Sequence, residues 1–376
     1  MSGSSYGMRV VVDLDAYRHN LRYVRSLIPD ECSIMAVVKD NAYGHGLVSV
    51  SKAALAEQVQ MLGVSTVEEG AALRAAGVDA PILVMVQPPA DALHEAIEHD
   101  LRVMISDVAT GERLGELAHR VNKVVLVHCK VDSGMGRQGF ALTAAPAELL
   151  HLTRVSHLDI EGVATHFPVA DTTSDPYITN QIRAFKTLLK QLNDQGIPYE
   201  MAHAANSGAI VNYPASHFSM VRPGLMTYGI WPTDAPPAKN PLRPVMRWEA
   251  KVILVKELDA GASIGYGRTY VTSSRVRVAI LPVGYGAAGY KRALSNKADV
   301  LIRGKRCPVR GTVCMDQIVV DVSHVGDVAP GDTATLLGAD GNERITANEL
   351  AAHAQTIPYE ILTSVAPNFD RDYGDS

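Results

Sequence analysis

Lys39 closes the apolar run Ala36-Val37-Val38 and is followed by Asp40-Asn41-Ala42-Tyr43-Gly44-His45-Gly46. An ammonium at the tip of a core strand calls for an ionic partner, desolvation for catalysis, or covalent use such as a Schiff base with a carbonyl cofactor. Farther along, Lys130, His166, His203 with Asn206 and Ser207 beyond it, and Arg222 each stand where a β-rich run ends. Taken singly, each reads about as well as a solvated or ion-paired side chain at a loop start. Their significance depends on whether the fold brings those ends together.

Eight β-rich runs alternate with amphipathic helical stretches between residue 30 and about 225, at 34–38, 61–64, 82–86, 101–105, 124–130, 160–165, 199–203 and 218–221. Helices are expected at 67–76, 107–121 and 180–195, the first two with acidic residues in their opening turns. Eight β-then-α units predict a TIM barrel, in which reactive residues gather at the C-terminal ends of the strands. On that rim Lys39, Lys130, His166, His203 and Arg222 converge. The proline-rich stretch 232–241 breaks the rhythm as a linker does. Beyond it, runs at 248–255, 276–283, 300–303, 317–322 and 333–337 predict a mostly β domain. The expected organisation is α/β: a barrel domain over 8–231, a linker over 232–244 and a β domain over 245–376. Residues 13–28 read as a helix, and 8–12 as a strand able to join the C-terminal sheet.

Ser207 opens a short helical stretch ending at Asn212, and Gly224-Leu225 follow the eighth run, where such barrels commonly hold phosphate. Tyr43 adds a phenolic donor; helix capping by Ser207 is the plainer alternative. A phosphate site beside a Schiff-base lysine makes pyridoxal phosphate the economical reading. The loop Gly134-Met135-Gly136-Arg137-Gln138-Gly139 fits the dinucleotide spacing, with Asp159 about twenty residues on. It falls on the fifth βα unit and not the first turn of an open sheet, so Arg137 reads instead as a cation for a substrate carboxylate, with Lys130 as its electrostatic support. No metal set is expected: His94 and His99 are five residues apart, where two ligands on one helix face need four.

The net charge is −5, from 35 basic and 40 acidic residues, with no basic stripe for a nucleic acid. No apolar run reaches the roughly 18 residues of a membrane span. Residues 1–7 lack the features of a secretory signal and read as a leader ahead of Met8. The four cysteines, 32, 129, 307 and 314, have neither metal nor disulfide spacing, which suits a reducing cytoplasm.

The chain resembles the bacterial alanine racemases, pyridoxal-phosphate enzymes of fold type III, over nearly its whole length. The resemblance rests on Val37-Val38-Lys39, Asn41-Ala42-Tyr43-Gly44-His45-Gly46, the stretch from Lys130 to Arg137, Thr165-His166-Phe167, Ala205-Asn206-Ser207, Val221-Arg222-Pro223-Gly224, Gly265-Tyr266-Gly267, Cys314-Met315-Asp316-Gln317 and Ile357-Pro358-Tyr359-Glu360. It implies interconversion of L- and D-alanine, supplying D-alanine for peptidoglycan, by a cytoplasmic homodimer. By the same resemblance Lys39 carries the cofactor and is the base on one face of the substrate, and Tyr266 is the base on the other. Tyr266 and Met315 from one subunit complete the partner's barrel site. Tyr43, Ser207, Gly224, Leu225 and Tyr359 hold the phosphate; His166 joins the cofactor contacts. Arg222 faces the pyridine nitrogen, Arg137 serves the cofactor's phenolic oxygen and the substrate carboxylate, and Lys130 matches a lysine that can be carbamylated.

Two departures from the family pattern stand out. Asp40 replaces a small apolar residue, and strand alternation predicts that it points away from Lys39. The stretch from Val283 to Arg292 lacks an aspartate, has Lys291 in place of proline, and carries an altered loop at Gly286-Ala287-Ala288. Competing readings are a racemase preferring serine or a bulkier amino acid, a non-catalytic pyridoxal-phosphate carrier, and a decarboxylase on a related scaffold. The Cys314 motif argues against the first, and the β domain bearing Tyr266 against the second. The decarboxylase would be expected to centre its acid site on a cysteine.

Overall fold

A computed structural model of the chain describes residues 7–233 and 236–374. Nearly all of the leader stretch and two linker residues lie outside the described residues. The chain divides into two compact units: one of residues 15–42 and 47–243, the other of residues 1–14, 43–46 and 244–376.

The first unit is a closed parallel barrel. Its eight strands are Ser33–Val37, Met61–Val64, Ile82–Val84, Arg102–Ile105, Val125–Asp132, Leu158–Ala164, Met201–His203 and Met220–Val221. They pair in chain order, and Val221 opposite Ile34 closes the ring. Every expected run is a strand, because strands buried on both faces read as continuous apolar stretches. Met35, Met61, Leu83, Met104, Ala164 and Met220 come together as a buried cluster, the unbranched methionines filling an irregular interior. Helices Val67–Ala75 and Val108–Arg120 start at side-chain caps, Thr66 accepting the Glu69 N–H at 3.2 Å and Asp107 the Thr110 N–H at 2.8 Å. The helix expected from 180 begins earlier, as Pro176–Asp194, with Asp175 as cap and proline in its first turn.

The second unit carries a long, mostly antiparallel sheet. Met8–Val12 pairs antiparallel with Met246–Lys251, Val10 opposite the buried Trp248. The run expected at 248–255 is two strands, Met246–Lys251 and Leu254–Leu258. The break has a simple cause: the Val252 N–H donates to Asp332 O and the Ile253 N–H to Ile280 O, so the chain changes partners there. Helices Ala347–Ala354 and Pro358–Ser364 were not anticipated. Residues 43–46 also belong to this unit, a departure from an unbroken barrel domain over 8–231. Gly44 O accepts from Arg371 Nε at 2.8 Å, and a Cβ on Gly44 would stand 2.4 Å from Leu362 O. At φ +82° and with that contact, only glycine fits.

Candidate active site

The first barrel strand stops at Val37, two residues short of Lys39. Asp40, Asn41, Ala42 and Tyr43 then all adopt φ between 52° and 54°, a left-handed turn that costs roughly 1–2 kcal/mol per non-glycine residue. Specific bonds hold it: the Asn41 N–H donates to Glu69 Oε1 at 3.0 Å, the Ala42 N–H to Val38 O at 2.8 Å, and Asn41 Oδ1 accepts the Leu47 N–H at 2.8 Å. Glu69 also accepts from the Ser65 N–H and hydroxyl. The expectation that Asp40 faces away from Lys39 fails, because strand alternation does not operate in this turn. Asp40 Oδ2 lies 3.4 Å from Lys39 Nζ.

Lys130, on the fifth strand, is buried. Its pKa is pulled down to about 8 by desolvation, with Arg222, Arg137 and Lys39 pressing the same way and Asp132 opposing. As an ammonium, Lys130 repels Arg137, so it can support that arginine only in a modified, anionic form. Arg222 is fully enclosed, and burial lowers its pKa to about 10, which leaves it charged at neutral pH. Its Nη2 donates to Thr165 O at 2.8 Å, Ala204 O at 3.0 Å and His166 Nδ1 at 3.1 Å; its Nη1 donates to His203 Nδ1 at 2.9 Å. His166 and His203 are held well below their ordinary pKa by burial first and Arg222 next, so both are neutral.

Asn206, not Ser207, caps helix Ser207–Asn212, its Oδ1 accepting the Ala209 N–H at 3.0 Å. That frees Ser207 for another task. Its buried Oγ accepts from the Gly224 N–H at 3.0 Å and the Met226 N–H at 3.3 Å, which leaves its own proton to donate. Gly224 therefore acts through Ser207 here, its N–H already engaged. Lys39, Lys130, Arg137 and Arg222 outnumber the nearby carboxylates Asp40 and Asp132, and a lysine opens the turn that follows the first strand. Such a donor set fits a phosphate-bearing aldehyde.

In the glycine loop, Asp132 Oδ1 accepts the N–H groups of Gly134, Met135 and Gly136 at 2.9, 2.7 and 3.1 Å. Those amides are committed to a side chain of their own loop, which disposes of the dinucleotide reading. His94 and His99 pair with Glu98 and Glu95 on the helix Leu93–Glu98. Among the described residues, no group of three or more potential metal ligands gathers.

The second unit holds the remaining candidates. The Tyr43 and Tyr359 rings lie 5.9 Å apart. Tyr266 sits between Gly265 and Gly267, both at positive φ, with its carbonyl accepting from Thr312 Oγ1 at 2.8 Å; its side chain is 74% exposed. Met315 is 56% exposed, and its carbonyl accepts the Gly286 N–H at 2.8 Å. The altered loop thus braces Met315 by backbone contact. Lys291 pairs with Glu360 at 2.8 Å, which accounts for a lysine at that position.

Residues 12–232 match the family model for the N-terminal domain of alanine racemase, and residues 245–373 that for its C-terminal domain. The chain belongs to the alanine racemase family. It is 42% identical to the alanine racemase of Symbiobacterium thermophilum over 96% of both chains. The alanine racemase of Clostridium difficile 630 superposes with a TM-score of 0.93 at 33% identity, over 99% of this chain and 96% of the other. The Bartonella henselae alanine racemase, solved with covalently bound pyridoxal phosphate, gives 0.88 at 27% identity, over 98% and 99%. As a member of this family the enzyme is an isomerase that interconverts L- and D-alanine with pyridoxal phosphate. Three residues went unremarked in sequence: His128 and Glu161, hidden inside β-rich runs, and Asp132, which organises the arginine loop.

Proposed function

We propose that this alanine racemase works with two bases, Lys39 and Tyr266, in a homodimer whose sites draw on both subunits. The observation that carries the reading is Tyr266, set between two positive-φ glycines with its carbonyl held by Thr312 yet 74% exposed, with Met315 likewise exposed in the same unit. A tyrosine so placed is suited to reach into another copy.

Bound to Lys39, pyridoxal phosphate supplies an electron sink that acidifies the substrate Cα. Lys39 would hold or return the proton on one face of the substrate Cα, and Tyr266 would do so on the other. A single base would have to reach both faces of the substrate Cα. The Ser207 hydroxyl, supported by the Gly224 N–H, and the backbone of Leu225 would hold the phosphate, with Tyr43 and Tyr359 as the further donors that the resemblance implies. Arg137 orients the substrate carboxylate and Met315 bounds the alanine methyl. Arg222 keeps a permanent positive charge toward the ring nitrogen, and His166 steadies Arg222. Because a guanidinium gives up its proton poorly, the sink stays weak and reprotonation at Cα is favoured over transamination. Carbamylation of Lys130 turns a repelling cation into an anion matched to Arg137; a pKa near 8 provides the neutral amine that this needs.

The D-alanine formed serves peptidoglycan synthesis, and the setting is cytoplasmic. Four free cysteines are in keeping with a reducing compartment, and no helix among the described residues is long and apolar enough to cross a membrane.

Subunit complementation tests the proposal. Lys39→Ala and Tyr266→Phe proteins, each impaired alone, are mixed under conditions that exchange subunits. Recovery of racemisation, followed by Cα deuterium exchange in heavy water, is expected because one site of the hybrid is intact. Activity that stays at the sum of the parents would overturn the shared site.

A further inference from the structure

Five consecutive barrel strands contribute to one continuous chain of hydrogen bonds. Arg102 Nε donates to Glu161 Oε2 at 2.9 Å; the same oxygen lies 2.9 Å from His128 Nε2; His128 Nδ1 lies 2.8 Å from His203 Nε2; and His203 Nδ1 lies 2.9 Å from Arg222 Nη1. The donor chemistry fixes every proton. A guanidinium can only donate, so His203 Nδ1 accepts and His203 carries its proton on Nε2. That proton goes to His128 Nδ1, which leaves His128 protonated on Nε2, donating to an ionised Glu161. Burial keeps both imidazoles neutral; it also raises the Glu161 pKa, but His128 and Arg102 outweigh it and hold the carboxylate below its ordinary range.

The backbone is built around this chain. Pairing between the fifth and sixth strands slips by one residue, with Val127 opposite Ile160 but His128 opposite Gly162, so Glu161 is the extra residue of a β-bulge. A Cβ on Gly162 would stand 2.5 Å from His128 Nδ1, so glycine makes the space that the imidazole occupies.

We propose that Glu161 is a positioning residue of the racemase, reinforcing from the far end of the His128–His203 pair the polarity that Arg222 requires, so that His203 always offers Arg222 a lone pair. The inference rests on the reading of Arg222 as the group that faces the cofactor ring. With Glu161 ionised, a tautomer change at His203 would aim an N–H at a guanidinium that has no lone pair. Arg222 Nη1 would then lose its acceptor, leaving the guanidinium held through Nη2 alone, and the charge set against the ring would become variable. A glutamine at 161 can present nitrogen as well as oxygen to His128, so one end of the chain no longer enforces the polarity while the shape is kept.

Nitrogen-15 NMR of histidine-labelled protein reads the tautomers directly, with and without pyridoxal phosphate. Native protein is expected to give His128 and His203 each as a single Nε2–H form, unchanged between pH 6 and 9. A native His203 protonated on Nδ1, or both rings in mixed tautomers, overturns the proposal without any variant. In Glu161→Gln the single form is expected to split, the bound-cofactor absorbance to shift, and the ratio of transamination to racemisation to rise, with KM for alanine little changed. An unchanged His203 signature in a folded Glu161→Gln protein also overturns it. Gly162→Ala, which displaces His128 while keeping Glu161, is expected to reproduce the split. Because the tautomer readout needs no turnover, its failure is distinguishable from failure of the two-base assignment.

Discussion

The Nζ of Lys39 lies 3.4 Å from Oδ2 of Asp40, a carboxylate set beside the lysine by a left-handed turn instead of by a strand. The pair is partly exposed, which limits its strength to about 1 kcal/mol or less. On the proposed role of Lys39, the pair would hold the ammonium before the cofactor is attached. Asp40→Ala should therefore speed covalent capture of pyridoxal phosphate by the unloaded protein, by no more than about five-fold, as read by stopped-flow absorbance. Slower capture would show that the carboxylate guides the lysine instead of detaining it.

Glu69 anchors the far side of that turn through the Asn41 N–H and both donors of Ser65. Glu69→Ala should lower stability by about 1–3 kcal/mol, since these donors lose a shared ionic acceptor. Urea unfolding would measure this, and the activity loss should exceed what the unfolded fraction explains.

Legibility in the sequence followed physical regularity. All eight barrel strands were found, because parallel strands sealed on both faces are plain apolar runs. The turn after Lys39 was not, since neither hydrophobic period nor strand alternation carries the hand of the backbone. Glu161 was missed for a related reason: a bulge breaks the two-residue period that would have assigned it a face. The alternative of Ser207 as a helix cap fails because Asn206, an equally good cap, takes that place and leaves the Ser207 hydroxyl for other bonds. The helix after Thr346 did carry a signal, the Thr346 and Glu349 spacing of a capping box, which sequence inspection passed over.

With its Oγ already accepting two backbone N–H groups, Ser207 has one proton to give. Ser207→Ala should raise the dissociation constant of pyridoxal phosphate by roughly ten- to a hundred-fold, corresponding to about 1.5–3 kcal/mol for a hydrogen bond to a charged group. Fluorescence titration of the unloaded protein would test this. An unchanged constant would assign the phosphate to other donors.

Lys130 gives a pH signature of definite sign. Its folded pKa of about 8 lies below the ordinary 10.5, so between those values the unfolded chain binds the extra proton. Stability should thus rise with pH from about 8 to 10.5, by roughly 3 kcal/mol if the amine is unmodified. In buffer freed of carbon dioxide the urea midpoint should climb across this window, and Lys130→Met should flatten the climb.

Carbamylation predicts a second effect of the same residue. Activity should fall in carbon-dioxide-free buffer and return on adding bicarbonate, faster at pH 9 than at pH 7 because more of the amine is then neutral. Lys130→Ala should abolish the response. A native enzyme indifferent to bicarbonate would leave Arg137 in need of another partner.

The left-handed turn from Asp40 to Tyr43 also has a stereochemical meaning. Its dihedral angles are those a D-residue adopts without strain, the mirror image of an ordinary helical turn. Branched L-residues are therefore strongly disfavoured beside Lys39 by backbone hand alone. Aspartate and asparagine are among the few L-residues that tolerate this conformation, which supplies a reason for Asp40 and Asn41 that owes nothing to catalysis. Semisynthetic protein with D-alanine at position 42 would keep the buried methyl-bearing residue while relieving the penalty at that one position of the turn.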